Sequence, residues 1–146
     1  MKKFVFTLQA VYDIALSNEK QQKNLLKRIE ERLRSLRLAL DRMLERKEEA
    51  RIQCAKDVDE GTDAIRMAQY ARYFESLDDM ISAQKKAITA VEGEREKVVA
   101  ALVEIRKEIK SLENLKEKQM EEYRDEVKRE EEQAIGDVVS YQVASK

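Results

Sequence analysis

The chain has no proline, no histidine, one cysteine and three glycines in 146 residues. Each scarcity excludes something. Without proline, and with so little glycine, almost nothing interrupts a helix. Without histidine, the commonest general base and the commonest metal ligand are both missing. A lone cysteine, Cys54, cannot close an internal disulfide and fits a reducing compartment. No run of eighteen apolar residues occurs, so no membrane span or direct membrane insertion is expected. Gly61, Gly93 and Gly136 are isolated and form no phosphate-cradling loop. The opening Met1-Lys2-Lys3-Phe4-Val5-Phe6 is basic and then apolar, but the apolar part is too short for a signal peptide, and charge returns at Asp13 and Glu19. The expectation is a soluble, cytoplasmic protein.

What is abundant is charge. Asp, Glu, Lys and Arg make up 40% of the chain, yet the formal net charge is -1. That balance leaves no overall basic field for nucleic acid. It is the profile of a long helix or coiled coil.

The apolar residues are periodic. From Tyr70 the positions Phe74, Leu77, Ile81, Gln84, Ile88, Val91, Arg95, Val98, Leu102, Ile105, Ile109, Leu112, Lys116, Gln119 and Tyr123 follow in alternating steps of four and three, and twelve of these sixteen are apolar. An apolar period of 3.5 residues held this long marks a coiled-coil seam. A second seam of the same alternation runs through Gln22, Leu26, Ile29, Leu33, Leu36, Leu40, Met43, Lys47, Ala50 and Cys54. Cys54 thus reads as a small apolar seam residue rather than a nucleophile. The polar residues that interrupt the seams set register at some cost in stability.

Between the seams lies Asp57-Val58-Asp59-Glu60-Gly61-Thr62-Asp63. Gly61 can close a helix in the left-handed conformation, and Thr62 or Asp63 can cap the next. The fold class is then all-α: a long antiparallel two-helix coiled-coil hairpin whose second helix is the longer. The expected boundaries within a single domain over 1–146 are helix 1 at about 7–58, a turn at about 59–63, helix 2 at about 64–135 and a loose tail at 136–146. At 1.5 Å per residue the helices would measure about 75 and about 105 Å. Residue i should face roughly residue 124 minus i, which sets Leu33 near Val91 and Leu40 near Gln84. The alternative is a helix that runs straight through Gly61 and dimerises in parallel. At the start, Thr7 reads as an N-cap, with Phe6 and Val11 as a hydrophobic staple. The segment after it is apolar at Leu8, Val11, Ile14 and Ala15.

Two features invite a functional reading. Tyr73 and Met80 form an apolar pair one heptad apart beside the seam, either as a partner contact or folded over the seam edge. Leu38 poses the same question on the outer face of helix 1. Charge is also uneven: Lys20 to Arg51 holds eleven basic and six acidic residues, and Glu113 to Asp137 five basic and ten acidic. Such runs are solvated faces or, at a projecting helix end, docking elements. No catalytic constellation emerges. Carboxylates on exposed helix faces have nothing to raise a pKa or exclude water. The chain is therefore read as no enzyme, with no cofactor or metal site.

At the N-terminus the residues become specific. Phe4, Phe6, Leu8, Gln9, Val11, Asp13 and Ile14 within Lys3–Ile14 resemble the opening of the FliJ family, the small coiled-coil component of the bacterial flagellar type III export apparatus. Leu112–Gln119, running on to Glu122-Tyr123-Arg124, and the stretch Tyr70–Leu77 after a glycine-containing turn resemble it too. The family often ends in an Asp-Glu pair, where this chain has Gly136-Asp137-Val138-Val139.

The resemblance implies a non-enzymatic stalk, similar to the two-helix stalk of rotary ATPases. Its base would bind and activate the hexameric flagellar export ATPase through Phe4, Phe6, Leu8, Gln9, Gln119, Tyr123, Arg124 and an acidic tip with Glu130 and Glu131. The surface nearer the turn, with Met43, Tyr73, Leu77 and Met80, would meet the cytoplasmic domain of the export-gate membrane protein. Export chaperones would be further partners. Localisation would be cytoplasmic, peripheral at the inner membrane through the export apparatus. A coiled-coil adaptor or chaperone holding protein clients is the alternative, as is the equivalent stalk of an injectisome.

Overall fold

The computed structural model describes residues 2–145. It is an all-α helical hairpin. Helix α1 spans Gln9–Glu60 and helix α2 spans Ala64–Ala144. The chain divides into two compact units. The turn unit is Gln22–Ala101, and the terminal unit joins the residues up to Gln21 with those from Leu102 onward.

The turn unit is built on the connection. Gly61 takes φ 89°, in the left-handed region where a side chain would be strained. Asp63 is the cap of α2: its carboxylate accepts the Arg66 N–H at 2.7 Å. The helix therefore does not run through, and the parallel rod is ruled out. Beyond the turn, Ile29, Leu33, Leu77, Ile81, Ile88, Val91 and Val98 are buried. No seam position of either helix is exposed. Polar seam residues are matched across the helices. The Gln84 side-chain N–H donates to the Leu36 carbonyl at 2.9 Å, Arg95 meets Glu30 at 3.3 Å, and Lys47 meets Asp78 at 2.6 Å. These pairs follow the expected register to within about a turn, and they explain how a seam broken by Gln, Arg and Lys keeps its alignment.

In the terminal unit Phe6, Ala15, Ile109 and Leu112 form the core, with Phe4, Leu8, Tyr12, Ile105 and Leu115 packed around it. Cross-helix partners step evenly in opposite directions: the Lys2 carbonyl with Tyr123, Gln9 with Lys116, Tyr12 with Glu113, and Glu19 with Arg106.

Three expectations require correction here. Helix α1 begins at Gln9, after a turn in which the Phe6 carbonyl accepts the Gln9 N–H at 3.1 Å, and the first helical bond goes to the Leu8 carbonyl. Thr7 is thus not the cap. Phe6 is drawn into the core, which fixes the chain's approach to the helix. Val11 is 43% exposed, so the Phe6–Val11 staple does not form, and Ile14 is 61% exposed. The seam of α1 instead continues backward through Glu19, Ala15, Tyr12 and Leu8, which are half-buried or buried. Finally, α2 does not end near Ile135 in a loose tail but continues to Ala144. A single Gly136 costs about 1 kcal/mol in a helix, and propagation from an existing helix carries the chain past it.

Candidate functional site

The ATPase-contact residues expected from sequence all fall in the terminal unit. Phe4 lies against Tyr123 with ring centroids 5.6 Å apart and planes tilted by 54°, and the Tyr123 hydroxyl donates to the Lys2 carbonyl at 2.5 Å. The segment before α1 is thereby strapped onto α2. Tyr12 donates from its hydroxyl to Glu113 at 3.1 Å, which raises the hydroxyl's pKa; partial burial and the charge of Glu113 act in the same direction. The Lys116 ammonium sits 5.8 Å from the Tyr12 ring centroid and reaches the Gln9 side-chain oxygen at 3.4 Å. Gln9 also donates to Asp13 at 2.9 Å.

Within this set the roles separate by burial. Phe6 is 4% exposed and belongs to the core. Phe4, Leu8, Gln9, Gln119 and Tyr123 are half-buried. Arg124, Glu130 and Glu131 are exposed. Lys2, Lys3, Phe4 and Val5 line a shallow groove with Tyr123, Glu126, Val127 and Glu130. This groove joins the N-terminal strap to the start of the acidic run, a juxtaposition that spacing within α2 alone does not reveal. Past Val127 every described residue of α2 is exposed, so the acidic stretch stands as an unpartnered helix.

The gate-contact residues that the resemblance implies all fall in the turn unit. Leu77 is 3% exposed and serves the core, while Met43 is half-buried. Tyr73 and Met80 are exposed at 46% and 42%. Leu38 is likewise exposed. Sequence reading did not single out Leu25, Ile52, Val58 and Ile65, which are also exposed apolar residues. The off-seam heptad positions were the available signal.

No group of Cys, Asp and Glu side chains suited to a metal ion occurs among the described residues. No helix among them is long and apolar enough to cross a membrane.

The fold and its surfaces define a class: a charged two-helix coiled-coil hairpin whose second helix outruns the first. The family model described as flagellar FliJ protein matches residues 4–146, and the chain belongs to that family. It is thereby a flagellar export-related protein. No curated protein and no solved structure matched the chain.

Proposed function

We propose that this protein is a non-enzymatic stalk that binds and activates the hexameric flagellar export ATPase and couples it to the export gate and to substrate chaperones. The observation that carries this reading is the exposed acidic continuation of α2 past Val127, beside the strapped N-terminus, in a chain of this family. A hairpin end with two unlike helices has no rotational symmetry. Seated in a ring pore, it contacts the subunits unequally and biases their nucleotide states. The ATPase contact falls on Phe4, Tyr123, Arg124, Glu130 and Glu131, with Leu8, Gln9 and Gln119 supporting them from half-buried positions. Phe6 supports the strap from the core. The gate contact falls on Tyr73 and Met80, with Met43 at its margin and Leu77 beneath. The protein acts at the cytoplasmic face of the inner membrane through these partners. The family match supports the flagellar apparatus over an injectisome.

The deciding measurement is the ATP hydrolysis rate of the same organism's flagellar export ATPase with and without this protein. Stimulation accompanied by ring formation is expected. No change with a folded hairpin would shift the reading to a client-holding adaptor. Charge reversal at Glu130, Glu131 and Glu132 should weaken ATPase binding more than gate binding; equal effects would remove the tip from the contact.

A further inference from the structure

The two flanks of the turn unit differ in chemistry. One flank is crossed by ion pairs between the helices: Glu30 with Arg95 at 3.3 Å, Arg37 with Glu92 at 3.5 Å and Lys47 with Asp78 at 2.6 Å. The other carries Arg32 with Glu94 at 3.9 Å. Heptad steps from that pair remain on the same flank. On α1 they reach Leu25 and Ala39, and on α2 they reach Ala87, Met80 and Tyr73. Ala39 and Ala87 are half-buried, while Leu25, Met80 and Tyr73 are exposed. Where the first flank is crossed by three ion pairs, this one alternates Leu25, Ala39, Ala87, Met80 and Tyr73 with the Arg32–Glu94 pair and Arg46, an apolar trough interrupted by charge. At the Leu25 end its floor is Ile29 and Val98. The cations bordering it are Arg28, Arg42, Arg46 and Lys97, against Glu49, and these four make no ion pair with the described residues.

The complement of this trough occurs in the same chain. Beyond Val127, Ile135, Val138, Val139 and Val143 recur on one side of an exposed helix. Glu131 and Glu132 fall on the borders of that side one turn earlier. From Glu131 to Val143 is about 18 Å of helix, and from Met80 to Glu94 is about 21 Å.

We propose that the acidic C-terminal helix of one copy docks in the basic apolar trough of a second copy. The apolar stripe fills the space left by the alanines, and the glutamates neutralise the bordering arginines and lysine. Parallel pairing of two tips is disfavoured because it juxtaposes two acidic runs, and antiparallel pairing has an apolar stretch of only about three turns to hold it. A tip-to-trough contact is heterologous, so each pair retains one free tip and one free trough and can grow. Self-association would hold the tip away from any other partner until that partner displaces it.

Sedimentation equilibrium of the full chain is the test. The average mass should rise with protein concentration, and the association should weaken at least about tenfold in about 1 M salt, where the screening length is about 3 Å. Ala87→Glu, in the trough, and Val139→Glu, on the tip, should each give a single-chain mass while keeping the helicity of the parent by circular dichroism. Mixed together, they should form a dimer of one chain of each, because the intact tip of the first meets the intact trough of the second. A single-chain mass for the unaltered protein at every concentration would overturn the proposal. So would association that survives Ala87→Glu, or a mixture that fails to pair, since those results point to tip-to-tip contact or another surface.

Discussion

Asp57 gathers three donors next to the turn. The Tyr70 hydroxyl donates to it, the Gln53 amide donates at 3.0 Å, and the Arg66 guanidinium lies at 3.0 Å. The Tyr70 bond first, then Gln53 and Arg66, hold its carboxyl below the usual carboxylate range, and the same bond holds the Tyr70 hydroxyl above its usual value. The two signs set a pH window. A depressed Asp57 contributes stability present above its unfolded pKa of about 3.9 and lost as pH falls through the folded value. A raised Tyr70 contributes stability present below its unfolded pKa of about 10 and lost as pH rises through the folded value. Tyr70→Phe should move the Asp57 carboxyl back toward the ordinary range in an NMR titration; an unmoved Asp57 would mean that Gln53 and Arg66 suffice. Two glycines should respond oppositely to alanine in urea unfolding. Gly61→Ala should destabilise by about 1 kcal/mol through its left-handed backbone. Gly93→Ala should stabilise by about 1 kcal/mol, since it is helical and nothing lies within 4 Å of an added Cβ. The role of Gly61, and a cap at Thr62 or Asp63, were legible in the sequence because turn and cap chemistry is local; the structure selects Asp63. Thr7 misled because the capture of Phe6 by Ala15, Ile109 and Leu112 is a contact over long sequence separation, and local capping rules carry no information about it.

At the scale of the element, each helix is defined by its seam. Leu33 is 2% exposed and Leu38 50%. Leu33→Ala should cost about 2–5 kcal/mol, whereas Leu38→Ala should stay within about 0.5 kcal/mol; chemical denaturation of the two variants checks both. The seam also explains why Val11 and Ile14, though apolar, lie outside the core. Local hydrophobicity favoured them, but phase along a continuous helix is fixed by its longest packed stretch, here Leu26 to Cys54. Steps of three and four taken backward from Gln22 reach Glu19, Ala15, Tyr12 and Leu8, so the correct face was present in the sequence as phase rather than as composition. The continuation of α2 past Gly136 was less legible, because a helix without a packing partner leaves no periodic signature in its surroundings. Lacking tertiary contacts, the stretch from 128 to 144 should exchange its amide hydrogens much faster than the buried stretch Leu77–Leu112. Equal protection in the isolated, single-chain state would show that the end is covered by something not yet identified.

For the molecule as a whole, the antiparallel hairpin was legible because two seams of one period, separated by a glycine turn, leave few other ways to cover both. The candidate contact surfaces were only partly legible. Sequence spacing set Leu77 on the seam, where it is buried, and Tyr73 and Met80 beside it, where they are exposed, but it could not tell that Phe6 is core, since burial outside the seam depends on what the opposite helix presents. The register has a further consequence, in the time domain. Asp57 and Tyr70 are separated by 13 residues of chain, whereas Lys2 and Tyr123 are separated by 121. Loop-closure entropy favours the short separations first, so assembly should nucleate at the glycine turn and zip toward the termini. The same gradient runs in reverse during opening. Contacts around Phe4 and Tyr123 should be the last to form and the first to release, which makes the end proposed to meet the ATPase the end most able to remodel on binding a partner.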